Sequence, residues 1–225
     1  MGGVRGDRMG KRAAGVMLAA AMLLVLLLLA GLSESGLRAA DASGGRGFVG
    51  VASCAGSTCH GRMEGDGKVV RQDELMRWQE PSTPGGAHSR AFAVLGGARG
   101  RQIAATLGMG DPTAAPACLG CHSTPAAARS ARFLASDGVG CEACHGAAGG
   151  WIASHYAVGA SHAGNVAAGM IPLERPQARA SVCLDCHFGS DRAGQFVGHR
   201  MMAGGHPRGS FELDLFSSVQ GHPDE

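Results

Sequence analysis

Hydrophobic positions along this chain fall into two regimes. Residues 13–32 are almost unbroken apolar, centred on the leucine-rich run 23–29, and they follow Arg5, Arg8, Lys11 and Arg12. A basic region, an apolar core of about 20 residues and the small-x-small triplet Ala40, Asp41, Ala42 describe an export signal. The same length suffices for a helix that crosses a membrane, with the basic end on the cytoplasmic side. Residues 1–42 are therefore read as a signal peptide or N-terminal membrane anchor, and 43–225 as one domain. Beyond residue 42 the pattern thins out. Alternating Val, Ile, Thr and Tyr is scarce, so little or no β-sheet is expected. Helices are predicted over 72–79, 99–107 and 151–158 and around the cysteine pairs described below. Gly and Pro interrupt nearly every candidate, which predicts short helices and long loops in a mostly α fold.

Composition makes that domain difficult to build from polypeptide alone. Aromatic residues are 4% of the chain and glycines number 38, which leaves few large side chains for a core. A net charge of +2 gives no ground for a nucleic-acid partner.

The cysteines supply what the core lacks. Cys118, Cys121 and His122 form a Cys-x-x-Cys-His motif, repeated at Cys141, Cys144 and His145 and at Cys183, Cys186 and His187. A stretched copy carries Cys54, Cys59 and His60, so all 8 cysteines fall into pairs, each followed directly by histidine. Two thiols at this spacing bond covalently to the vinyl groups of one porphyrin, and the adjacent imidazole reaches its iron as proximal ligand. A zinc ribbon or a disulfide framework makes no demand for histidine after each pair. With 10 histidines in 225 residues, four such placements by chance would arise on the order of a few times in a million. A single thioredoxin-like redox site needs only one such pair. The longer spacer of the first motif is small and flexible enough to bulge away from the porphyrin edge. Four covalently attached c haems are expected, with His60, His122, His145 and His187 as proximal ligands. They would provide the apolar mass around which a compact domain wraps.

Six histidines remain for the second axial positions, a surplus that bis-histidine ligation would leave behind. His88 follows Pro84, Gly85 and Gly86, and His206 lies between Gly205 and Pro207, both places where a loop can fold over a haem. His155 and His162, seven apart, would share one helix face; His155, beside Trp151 and Tyr156, is the better ligand. His199 is a further candidate and His222 the weakest. Met201 and Met202 are competing ligands by position, though packing against porphyrin suits a thioether equally.

The chain resembles the tetrahaem cytochromes of the cytochrome c-554 type. The resemblance spans roughly residues 50–207 and rests on the haem motifs, on Trp78 followed by His88, Ser89, Arg90 and Ala91, and most specifically on residues 137–146, reading Asp-Gly-Val-Gly-Cys-Glu-Ala-Cys-His-Gly. The long first spacer and the longer gap from Trp78 to His88 depart from the family. The resemblance implies a mostly helical fold, haems in stacked and angled pairs, largely bis-histidine ligation and one five-coordinate haem.

Two functions follow as expectations. The first is a periplasmic electron-transfer protein, soluble or tethered through its N-terminal segment, that relays electrons between transiently docked redox partner proteins. The alternative is a haem enzyme acting on a small nitrogen or sulfur compound at a five-coordinate iron. Arg90, Arg200 or Arg208 would then be nearby donors, unless they pair with haem carboxylates. No nucleophile elbow, metalloprotease signature or phosphate loop is present in the sequence.

Overall fold

Proline and glycine set where helices begin and end in this molecule. The computed structural model describes residue 22 and residues 47–65, 70–191 and 194–219. The expected signal or anchor over 1–42 lies outside the described residues, as does His222. Among the described residues no helix is long and apolar enough to cross a membrane.

The helices are α1 (Glu74–Gln79), α2 (Ala98–Thr106), α3 (Pro116–His122), α4 (Cys141–His145), α5 (Ile152–His155), α6 (His162–Ala167), α7 (Pro176–Leu184), α8 (His199–Ala203) and α9 (Leu213–Val219). No β-sheet forms among the described residues; one isolated bridge joins Phe48 to Arg129. The mostly α, loop-rich architecture is the expected one. Pro116 and Pro176 occupy first-turn positions of α3 and α7, where a missing N–H is harmless and the fixed φ suits a helix. Ser161 caps α6 by accepting from the Gly164 amide at 3.1 Å.

Three expectations are corrected. Helix α5 stops at His155, short of the predicted end at 158, and His162 lies on the separate helix α6. The two histidines therefore share no helix face. Gly159, at φ 81°, takes a backbone conformation that a right-handed helix cannot contain. The first cysteine pair also forms no α-helix: a 3-10 turn, Val51–Ser53, leads into a run of turns through His60.

Apart from Met22, the described residues belong to one compact unit. Its polypeptide core is small. Leu95, Leu107, Trp151 and Met170 are buried, and the other buried hydrophobic residues are alanines. Large side chains such as Phe188, Phe196 and Tyr156 are exposed. Four large buried side chains are too few to hold a chain of this length together by apolar burial of polypeptide alone.

Polar clasps substitute for part of the missing core. Glu142, 5% exposed, accepts from the Val49 and Ala148 amides through Oε1, at 2.9 and 2.7 Å, and from the Gly50 amide through Oε2 at 2.8 Å. One carboxylate inside the third motif thus fastens the segment leading into the first motif. The loop ahead of the third motif is held similarly. Trp78 Nε1 donates to the Val139 carbonyl at 2.9 Å, and the Val139 amide donates to the His88 carbonyl at 3.0 Å. Gly138, at φ 75°, lies so close that a Cβ there would come within 2.5 Å of the His88 oxygen. Trp78, His88 and residues 137–140 are one packed unit.

Candidate haem-binding site

The motif cysteines converge. Cys54 and Cys141 are hydrogen-bonded, which holds the Cys54 thiol strongly protonated and Cys141 below its ordinary range. A bond between Cys121 and Cys186, followed by burial, pushes Cys121 up in the same way. Burial, then the neighbouring Cys183, Cys141 and Cys186, pushes Cys144 up to about 12. The contacts therefore link the first motif to the third, the third to the fourth and the fourth to the second. Gln195, 2% exposed, braces the last junction by donating to the Cys186 sulfur at 3.6 Å while accepting from Ser190 Oγ at 3.1 Å.

Three motif histidines each face a histidine from outside the motifs. The rings of His60 and His155 are 6.1 Å apart between centroids, with planes 16° from parallel. Those of His187 and His88 are 6.2 Å apart at 63°, and those of His122 and His206 are 6.2 Å apart at 85°. Remote segments are brought together in each case. His155 is presented by α5 against Trp151, whose ring lies 5.5 Å away edge-on. His206 follows α8, and His187 packs beneath Phe211 and Phe216 at 5.9 and 5.0 Å.

The outer nitrogen of several of these rings is already engaged. Nδ1 of His122 donates to the Ala91 carbonyl and Nδ1 of His206 to the Pro207 carbonyl, each at 2.7 Å. Nδ1 of His60 meets Glu74 Oε2 at 3.0 Å, and Nδ1 of His155 meets the Asn165 amide at 3.1 Å. His187 bonds to the Ser210 backbone. Where Nδ1 donates, as on His60, His122 and His206, Nε2 is left as the metal-binding atom and the ring's orientation is set; on His155 the same arrangement requires the Asn165 amide to present its oxygen to Nδ1. Burial leaves His122, His155 and His187 harder to protonate than an ordinary imidazole, which favours the neutral, ligating form. Burial pulls the Glu74 carboxyl upward, but the bonds from His60 and from nearby backbone amides outweigh it and hold the group below the ordinary range.

Other candidates are placed differently. His162 turns Nε2 to Glu174 at 3.2 Å on the exposed surface. His199 begins α8 in an exposed position, and no ring contact to it occurs among the described residues. Arg90 donates to the Glu80 and Thr83 carbonyls at 3.0 and 3.3 Å, and Arg200 to the Leu107 carbonyl at 2.8 Å. His145, at the end of α4, accepts from the Ile171 amide through its carbonyl at 3.1 Å. Glu142, Glu74 and Asn165 bond to the segments and rings of the candidate site and are not picked out by the sequence reading. The only signal for Glu74 was an acidic residue at the start of a predicted helix.

The residues present fit a covalently attached porphyrin. Each thiol pair adjoins a histidine, and a cavity of about 550 Å³ lies beside the first motif, lined by Val51, Ala52, Ala55, Leu75 and Trp78 among others. That volume suits a large flat ligand. Two buried donors, Trp151 Nε1 and Arg179 Nε, have no hydrogen-bond partner among the described residues. Arg179 precedes Cys183 by one turn of α7, and a buried cationic donor beside a haem cysteine suits a haem carboxylate.

Residues 53–146 match the family described as cytochrome c554 and c-prime. Neither a curated protein nor a solved structure matches the chain. The matched region holds the first three motifs, Trp78, His88 and the loop at 137–140; the motif ending at His187 lies beyond it, so the match is narrower than the expected 50–207. Through residues 53–146, the chain is similar to the cytochrome c554 and c-prime family of multihaem c-type cytochromes.

Proposed function

We propose that this protein is a periplasmic electron carrier with four covalently bound c haems. Three of the irons would be held by the pairs His60 with His155, His187 with His88, and His122 with His206. One observation carries this reading: the three ring separations of 6.1, 6.2 and 6.2 Å. An imidazole nitrogen sits about 2 Å from a transition metal, so two rings on one metal have centres about 6 Å apart. Each pair joins one motif histidine to one outside the motifs, which is what proximal and distal ligation requires.

Bound haem supplies reversible one-electron chemistry; the chain sets ligation, spacing and access. The thiol contacts arrange the motifs as first, third, fourth, second, so the His60 and His122 sites stand at opposite ends of the relay. Redox partner proteins would dock transiently at the exposed edges, as is usual for small interfaces of this kind.

Pyridine haemochrome quantification and the oxidised absorbance spectrum with and without cyanide test the reading together. Four haems per chain, with the histidine-bracketed irons low-spin and inert to cyanide, is the expected result. Three haems would remove the Cys54 site, and a predominantly high-spin, cyanide-reactive spectrum would overturn the ligand pairs.

A further inference from the structure

The two ends of the relay hold their imidazoles by different chemistry. At the His60 end, Nδ1 faces a carboxylate, Glu74 Oε2 at 3.0 Å. At the His122 end, both His122 and His206 donate to neutral backbone carbonyls, of Ala91 and Pro207. The carboxylate is itself fixed: Glu74 Oε1 accepts from the Arg71 and Gln72 amides at 2.9 and 3.1 Å, and the Leu75 amide donates to the His60 carbonyl at 2.9 Å. Helix α1 is thereby anchored to the first motif with its carboxylate aimed at the ring.

We propose that Glu74 is a positioning residue that makes the His60 site the low-potential end of the electron relay. The inference rests on the bis-histidine reading given above. A carboxylate that accepts from Nδ1–H draws the proton toward itself and makes the imidazole a stronger donor. Stronger donation and the added negative charge both stabilise the ferric state over the ferrous one. A backbone carbonyl does this less because it carries no net charge.

Ring orientation acts in the same sense. Nearly parallel imidazoles, 16° apart for His60 and His155, donate into the same iron orbital and reinforce the ferric state. Crossed rings, 85° apart for His122 and His206, divide their donation between two orbitals. Both differences set the His60 site below the His122 site. One electron from a one-electron donor protein at the first end thus runs downhill and reduces a one-electron acceptor protein at the second. The donor is oxidised by one electron and the acceptor reduced by one.

Potentiometric titration of the intact haem-loaded protein, followed optically, tests this with Glu74→Gln and Glu74→Asp. In Glu74→Gln the lowest-potential wave should rise by about tenfold in its reduction equilibrium, which is 59 mV for one electron, while the other waves stay in place. Glu74→Asp, which keeps the charge, should restore most of the shift. Near-infrared magnetic circular dichroism of the unmutated ferric protein gives a readout that needs no variant to fold: one haem should absorb at higher energy than the rest. No movement of any wave, movement of a wave other than the lowest, or coincident infrared bands would overturn the role of Glu74 and leave the ligand pairs standing. Infrared bands lacking the bis-imidazole signature would overturn the ligand pairs, and this inference with them.

Discussion

The His60 and His122 sites present the same three residue types in opposite settings. His122 closes the helix α3, which Pro116 starts, and Gly120 within that helix packs against the Gly194 backbone so closely that no side chain fits between. His60 closes a run of turns with a longer cysteine spacer, and its Cys59 is exposed. The regular motif needs only its own helix to aim the imidazole, and a carbonyl from another segment, Ala91, completes the job. The stretched motif has no helix, so its imidazole is aimed by Glu74 of α1 and its backbone is secured by Glu142 from the third motif. Irregular local structure is thus compensated by carboxylates, and charge enters the site as a consequence.

The largest test of this contrast removes the distal ligand at each end. His155→Ala and His206→Ala should each convert one haem per chain from low-spin to high-spin and make it reactive toward cyanide, with haem content unchanged. Conversion in one variant only would break the equivalence of the two ends as bis-histidine sites.

Next comes the clasp. Glu142→Ala leaves three backbone amides without their acceptor, two of them buried, and should lower stability by about 3 kcal/mol or more. Thermal unfolding of the haem-loaded protein measures it. Hydrogen exchange should rise first over residues 47–50, at the His60 end, and leave α3 protected. A uniform rise across both ends would show that the clasp is not local.

A smaller effect is expected at the loop bearing on His88. Gly138→Ala forces a side chain into a left-handed conformation, at about 1–2 kcal/mol, and pushes it toward the His88 carbonyl. The His187 haem should change its low-spin signal while the haems at the two ends keep theirs. The smallest effect belongs to His162→Ala. Its ring pairs with Glu174 on the exposed surface, where an ion pair is largely screened. Spectrum, potentials and melting temperature should all remain as in the parent protein.

Much of this site is legible in the sequence because haem attachment is a short-range code. Cysteine spacing and the following histidine fix chemistry within a few residues, and the helices over 72–79 and 99–107 follow from locally uninterrupted stretches. His88 and His206 are legible as candidates because glycine and proline mark loops that can approach a haem. What the sequence hides is long-range. Trp151, four residues before His155, is the local signal that favours it over His162, while the contact from Asn165 across the break at Gly159 is not legible in the sequence. Glu142 reads as an ordinary residue within a motif, yet two of its partners, Val49 and Gly50, lie more than 90 residues away along the chain. Glu74 reads as a helix-start acid, and only the folded turn of the first motif brings His60 to it. These carboxylates do work that a larger apolar core would otherwise perform.

The ligand pairs are tested most directly by electron paramagnetic resonance of the fully oxidised protein, because that signal reports both ligand type and ring orientation. The near-parallel His60 and His155 rings should give a rhombic low-spin ferric signal. The near-perpendicular His122 and His206 rings should give a highly anisotropic low-spin signal, and each should be replaced by a high-spin signal in His155→Ala and His206→Ala respectively. A spectrum dominated by high-spin iron in the unmutated protein, or low-spin signals that survive both substitutions, would contradict the pairing.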